Sequence, residues 1–407
     1  MSGEFLTELG RLLGDDVDAA ATDRVFLGRG AGAAGEVYTV VPAIGKARLL
    51  VPHGDRRAAG AAIRHTSAPR SAKDRLRQRV LAGVFSTGLG SRTLGDLVFR
   101  DRLAVQAQPT LAEHLSGLLG QRVRLSVRFG PPRANRKPVL QLIDDRAHTV
   151  AYAKMAVNDL TTTLVDAEHR ALSLLSGRDL APARVPEVLH FGTWAGASLL
   201  VVGALPVSQD APPDGLTPLS LAAMRSIAQV QGVTRSTYAG SSYAARLAAQ
   251  VDALGERPTA GLMRRALAAC ADAELGFGCW HGDWNGGNMS VRGGELLLWD
   301  FERFTPDVPV GYDPLHFELH EAVAVRHTDP VTAARAVAGR AAELLAPLGV
   351  DAAVANEVAA LYFVEIGSRY LGDGLDNLGR PMGRVDEWII GAFAGLGGRW
   401  ASLVGEN

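Results

Sequence analysis

Apolar and polar positions alternate along three stretches in the middle of the chain. RVRLSVRFG at 122–130, PVLQLID at 138–144 and TVAYAKMAV at 149–157 read as strands, because a period of two places alternate side chains on opposite faces of a sheet. The period then lengthens. In LTTTLVDAEHRALSLLSG, 160–177, Leu164, Ala167, Ala171 and Leu174 recur at helical spacing, and Gly177 can end the helix. VPEVLHFG at 185–192 and ASLLVVGALP at 197–206 return to strand patterning. QDAPPDGLTP, 209–218, reads as a loop. Helical patterns dominate from there, over 219–232, 241–254, 259–275, 315–325, 330–346, 351–371 and 384–404. One exception interrupts them. GELLLWDFERF predicts a buried strand, Leu296 to Trp299, launched from the turn Gly293-Gly294, with MSV at 289–291 as its hairpin partner.

The segment ahead of these elements has its own pattern. VYTVVPA, the turn IGK and ARLLVPHG predict a hairpin. DRRAAGAAIRHT predicts a helix with Asp55 near its start, and SAKDRLRQRVLAGVF a second helix. GRGAGAAGEVY superficially matches G-x-G-x-x-G, but a hairpin follows it where a phosphate loop would lead to a lysine-bearing third strand. Strands early and helices late give an α+β class.

The densest chemistry lies in CWHGDWNGGNMSVRGGELLLWDFERF, 279–304. It carries H-G-D-x-x-x-x-N and then a second acid. Phosphoryl transfer from a nucleotide needs a carboxylate to receive the hydroxyl proton, and a carboxamide and a second carboxylate to hold magnesium. Asp283, Asn288 and Asp300 are of those types, in that order. The predicted hairpin brings Asn288 and Asp300 to one end. Asp283, five residues before Asn288, lies in a loop loosened by Gly286 and Gly287. Lys154 on the third predicted strand and Glu168 on the helix after it can supply a cation for the phosphates and the acid that holds it. Taken singly, each reads more readily as a solvated surface residue; the order of elements is what lifts both above that reading.

On these residues, 122 to roughly 395 resemble the aminoglycoside phosphotransferase and choline kinase-like family, a branch of the protein kinase-like fold. Protein kinases carry H-R-D and D-F-G where this chain has H-G-D and D-F-E. The resemblance implies a bilobal fold: a cap-like extension over 1–115, a small lobe over 116–206 and a large helical lobe over 207–407. It also implies roles. Asp283 would be the catalytic base, and Asn288 and Asp300 the magnesium ligands. Lys154 and Glu168 would orient the phosphates, and Val202, Gly203 and Ala204 would meet the adenine. His281 and Asp313 would be structural residues of the loop. Magnesium with ATP or GTP, and a small hydroxylated acceptor such as an aminoglycoside, sugar or amino alcohol, follow as cofactor, donor and partner.

Two departures qualify the resemblance. The first-strand turn is GPPRANRKP, and its prolines lack amide protons to cradle phosphate. Arg133, Arg136 or Lys137 would have to substitute by charge. Asn285 stands where family members often carry histidine. The glycine-poor turn motivates an alternative, a catalytically weak nucleotide- or partner-binding module on the same fold.

Composition narrows the setting. The net charge is −1, yet residues 1–150 hold 23 Lys and Arg against 14 Asp and Glu, and the remainder 19 against 29. The basic run from Arg64 to Arg79 has no interleaved aromatic residues, so no nucleic-acid platform is expected. No run of about eighteen apolar residues occurs, so no membrane partner is expected either. The acidic, amphipathic N-terminus is unlike a secretory signal. Two cysteines, Cys270 and Cys279, cannot build a disulfide framework, and a reducing cytoplasm is the expected compartment. Glu302, Glu318, Glu321, Glu365, Asp373 and Asp376 are the carboxylates available to a polar acceptor, and YLGDGLDNLGR, 370–380, is a polar, glycine-broken segment suited to a cleft mouth.

Overall fold

A computed structural model of the chain describes residues 12–13, 25–28, 36–41, 47–64, 80, 82–83, 85, 102–105, 109–130, 137–207, 215–374 and 382–405. The turn at 131–136, most of the basic run, most of the helix expected over 71–85, the greater part of the 209–218 loop and residues 375–381 with Asp376 lie outside them. The fold is α+β, and the chain divides into two compact units. One comprises Met1–Ser173 and Pro186–Ala211, the other Leu174–Val185 and Pro212–Asn407.

The first unit is built on an antiparallel sheet. Among the described residues its strands are β1 (Val25–Gly28), β2 (Glu36–Val41), β3 (Leu49–Pro52), β4 (Arg102–Val105), β5 (Arg124–Phe129), β6 (Pro138–Ile143), β7 (Thr149–Met155), β9 (Val188–Trp194) and β10 (Ala197–Gly203). A two-residue strand, β8 (Ala183–Arg184), belongs to the second unit. The spatial order is β1-β4-β2-β3-β5-β6-β7-β10-β9. The segment expected as a cap over 1–115 therefore contributes β1 to β4 to the same sheet as β5, β6, β7, β9 and β10. β3 pairs antiparallel with β5, Leu50 opposite Val127. Alternation along β3 shows how the sheet is filled. Leu50 faces a core shared with Leu125, Leu140, Leu142 and Ala153, whereas Leu49 and Val51 face a second cluster under the helix Arg56–Arg64, with Ala58, Ala62 and Ile63.

The helix Asp159–Leu175 follows β7, as the change of period predicts. Asn158 fixes its start, its Oδ1 accepting from the Thr161 amide at 2.8 Å.

The second unit is mainly helical. Its central helix, Ala355–Gly372, is buried on nearly every side, with Val358, Leu361, Tyr362, Phe363, Val364 and Ile366 all in the core. The helices Ser242–Asp252, Pro258–Ala269, Tyr312–His320, Pro330–Gly339 and Val385–Leu396 pack with it, and Pro218–Gln229 packs on β12 and β14 in the same unit. The expected helix 330–346 breaks at Arg340, and 384–404 breaks at Gly397. β1, β4 and β8 escaped the sequence pattern, and so did β11 (Thr234–Thr237), β12 (Glu274–Trp280) and β15 (Thr305–Pro309), the last three forming one small sheet. β13 (Met289–Arg292) and β14 (Glu295–Leu298) form the expected hairpin, Met289 opposite Leu298 and Arg292 opposite Glu295. Gly293 and Gly294, at φ 60° and 84°, turn the chain between them.

Candidate active site

The loop leaving β12 is pinned by its own backbone. Asp313 is buried and accepts from the amides of His281 at 2.9 Å and Gly282 at 3.2 Å. Gly282 has φ +82°, and a Cβ there would stand 2.1 Å from the Arg303 carbonyl oxygen, so the close approach requires glycine. His281, wholly buried, spans the loop. Its Nδ1 accepts from the Asp283 amide at 3.2 Å and its Nε2 bonds the Trp299 carbonyl at 3.1 Å. Burial pushes the His281 imidazole below its ordinary value, so it serves as a neutral brace. Asn285 closes the turn, its Nδ2 donating to the Asp283 carbonyl at 3.0 Å and its Oδ1 accepting from the Gly287 amide at 2.8 Å.

These bonds hold Asp283 at the rim, its side chain 34% exposed. Asn288 Nδ2 donates to Asp283 Oδ2 at 2.9 Å and to the Asp283 carbonyl at 3.0 Å. His316 Nε2 lies 3.4 Å from Asp283 Oδ1. Burial pushes the Asp283 carboxyl up, the hydrogen bond from His316 and the positive charge of Arg369 pull it down, and the net shift is downward. Asp283 is therefore a carboxylate at neutral pH, an acceptor with no proton to give.

The hairpin brings Asn288 and Asp300 to the same end, as its register dictates: the Trp299 amide donates to the Asn288 carbonyl at 3.1 Å. Asp300 follows β14 in a left-handed conformation, φ 71°, which a non-glycine residue adopts at some cost. Its carboxylate comes within 4.8 Å of that of Glu302. Asn288 spends both amide protons on Asp283, which leaves its Oδ1 turned away from that bond. An amide oxygen and two carboxylates within a short stretch are hard oxygen donors of the kind magnesium takes, so the residues present fit that ion.

In the first unit, Lys154 on β7 pairs with Glu168 on the following helix. The ammonium meets both carboxylate oxygens, at 2.5 and 2.6 Å, with the lysine 8% and the glutamate 1% exposed. Lys154 selects Glu168 over Asp166, two residues earlier on the helix. Val202 and Gly203 end β10 and Ala204 follows it. The amides of Gly203 and Ala204 are both engaged, donating to the Glu187 and Val150 carbonyls at 2.8 and 3.1 Å.

Most of the carboxylates expected to meet an acceptor have partners of their own. Glu318 pairs with Arg326 at 3.3 Å and Arg340 at 3.7 Å, and Glu365 accepts from the Tyr243 hydroxyl at 3.0 Å. Glu321 lies 4.0 Å from His320, and Asp373 is bonded to Arg303. Two residues at the loop escaped the sequence reading. Arg369 donates to the Gly282 carbonyl at 2.9 Å and lies over the Trp280 ring at 5.4 Å. His316 comes from the helix Tyr312–His320, of which residues 312–319 are all buried. No sequence signal pointed to it, because the contact spans 33 positions of sequence.

No protein-family model matches the chain, and no curated protein matches it. Among solved structures it is similar to a thermostable mutant of aminoglycoside phosphotransferase APH(4)-Ia, in complex with ADP and hygromycin B. The two share 14% identity over 72% of this chain and 97% of that one, at a TM-score of 0.45. It is also similar to a candidate fructosamine-3-kinase of Haemophilus somnus 129PT, at 14% identity over 70% and 97%, TM-score 0.45. Spectinomycin phosphotransferase APH(9)-Ia, bound to ADP and spectinomycin, matches at 12% identity over 74% and 99%, TM-score 0.40.

Proposed function

We propose that the chain transfers the γ-phosphoryl group of ATP or GTP to a hydroxyl of a small molecule, with Asp283 as the base. The observation that carries this reading is the carboxylate of Asp283, ionised, partly open and gripped by Asn288, whose own oxygen is left for a cation. A carboxylate so placed orients the acceptor hydroxyl and takes its proton as the oxygen attacks phosphorus. Asn288, Asp300 and Glu302 hold the magnesium ion, which supplies positive charge to the phosphate oxygens. Lys154, fixed in place by Glu168, contributes a second positive charge to the phosphates. Val202, Gly203 and Ala204 meet the nucleotide base. The acceptor is an aminoglycoside, another sugar or an amino alcohol, and the compartment is the cytoplasm; among the described residues no helix is long and apolar enough to cross a membrane.

The reading is tested by following ADP and GDP release from Mg-ATP and Mg-GTP across a panel of aminoglycosides, sugars and amino alcohols, with a well lacking acceptor. Acceptor-dependent release that Asp283→Asn abolishes supports it. Nucleotide binding without release for any acceptor favours the binding-module alternative.

A further inference from the structure

The bonds on Asp283 extend beyond the hairpin, into the core of the helical unit. His316 is 2% exposed and Tyr362, on the central helix, is 0% exposed. The Tyr362 hydroxyl lies 3.2 Å from His316 Nδ1, and His316 Nε2 faces Asp283 Oδ1. The Trp280 and Tyr362 rings stand edge-on to the imidazole, at 6.3 and 6.2 Å. The chemistry of these groups fixes the direction of each bond. Burial raises the Tyr362 hydroxyl well above its ordinary value, so the phenol keeps its proton and donates it to Nδ1. An imidazole that accepts at Nδ1 carries its proton at Nε2, and that proton points at Asp283. Burial also lowers the His316 pKa, more than its hydrogen bond to Asp283 and the charge of that carboxylate raise it, so the ring is neutral at neutral pH.

We propose that Tyr362 and His316 form a positioning relay for the base. The phenol sets the imidazole tautomer, and the imidazole N–H holds one oxygen of Asp283 while Asn288 holds the other. Gripped at both oxygens, the carboxylate keeps one orientation toward the acceptor hydroxyl. This rests on Asp283 being the base. The 3.4 Å separation leaves room for the bond to shorten as substrate closes the site, a common behaviour of catalytic hydrogen bonds. His316 and Tyr362 are positioning residues and touch neither acceptor nor nucleotide in this scheme. The charged and titratable groups acting on the imidazole are Asp283 and His281 from the loop and Arg369 and Tyr362 from the central helix.

Two measurements test the relay, and the first needs no turnover. The 15N shifts of His316, assigned by difference from His316→Gln, should report a neutral imidazole protonated at Nε2, changing to a tautomer mixture in Tyr362→Phe. A wild-type ring protonated at Nδ1 overturns the relay whatever the enzyme does. The second compares kinetics of His316→Leu and His316→Gln. Leucine fills the space without a donor, and glutamine returns an N–H near the place of Nε2. His316→Leu should lower kcat about tenfold to a hundredfold, the cost of a misplaced group, with KM for nucleotide and acceptor little changed. The acid limb of its pH profile should move to higher pH, because Asp283 has lost a donor. His316→Gln should recover most of the loss. Equal losses in both variants, with the pH limb unmoved, mean that His316 merely fills the core and overturn the proposal. Wild-type protein without turnover on any acceptor overturns the kinase reading instead, and the tautomer measurement then decides the relay alone.

Discussion

The two units satisfy their key carboxylates in opposite ways. In the sheet-rich unit, Glu168 is buried and neutralised by a lysine ammonium on both oxygens. In the helical unit, Asp283 is partly open and held by neutral donors, an amide and an imidazole, so that no side chain cancels its charge in a direct ion pair. A buried ion pair holds a cation in place, because removing either partner strands the other in a medium that solvates it poorly. A carboxylate held by neutral donors keeps its basicity for an incoming proton. One arrangement gives rigidity and the other reactivity, and substitutions should separate the two.

The largest effect is expected on turnover. Asp283→Asn removes the base and should cut kcat by about 10²–10⁴-fold. Folding should change by no more than about 1 kcal/mol, because the side chain is partly exposed. Glu168→Gln should show the reverse emphasis. It leaves Lys154 charged and buried, and urea denaturation should register a loss of about 3–5 kcal/mol. If Asp283→Asn destabilised the chain more than Glu168→Gln did, the contrast between the two carboxylates would be wrong.

Gly282→Ala sharpens the comparison by disturbing the loop without touching a charge. Strain at a positive φ, together with the clash against the Arg303 carbonyl, should cost at least about 1–3 kcal/mol and lower kcat as Asp283 shifts. A fully active, fully stable alanine variant would show that the loop can move away from Arg303 freely.

A pH dependence probes a third carboxylate. Burial pushes the Asp313 carboxyl up to about 7, against the lowering effect of the two amide bonds and Arg369. Unfolded, it titrates near about 3.9. Between those values the folded chain holds a proton that the unfolded chain has released. The contribution of Asp313 is therefore fully present below its unfolded value, falls as pH rises through the window, by at most about 1.4 kcal/mol per pH unit, and levels off above about 7. Urea midpoints measured across that range should decline less steeply in Asp313→Asn. Identical slopes in the two proteins would mean that Asp313 is already ionised throughout.

Much of this arrangement was legible in the sequence because it is local. The turn Gly293-Gly294 and the apolar run after it define the hairpin, and the hairpin brings Asn288 and Asp300 together by register alone. The Lys154–Glu168 pair followed from the order of strand and helix. What stayed hidden depends on contacts distant in sequence. β12 carries two glycines within ELGFGCW, which weaken its strand signal, and is held in place by β11 and β15. The N-terminal segment has the patterning of a separate small domain, and its membership in the large sheet rests on the β3–β5 pairing across some 75 residues. Hydrogen bonds to arginines and tyrosines removed Glu318, Glu365 and Asp373 from the pool of unpaired acids, which periodicity does not report.

The most direct test of the central claim is phosphoryl transfer by wild type and Asp283→Asn, followed by 31P NMR at saturating Mg-ATP with an acceptor that supports turnover. Nucleotide affinity is measured on the same samples. The account predicts a phosphate ester in the wild type and none in the variant on the same timescale, with both proteins binding nucleotide alike. Ester formed by Asp283→Asn at the wild-type rate would contradict it.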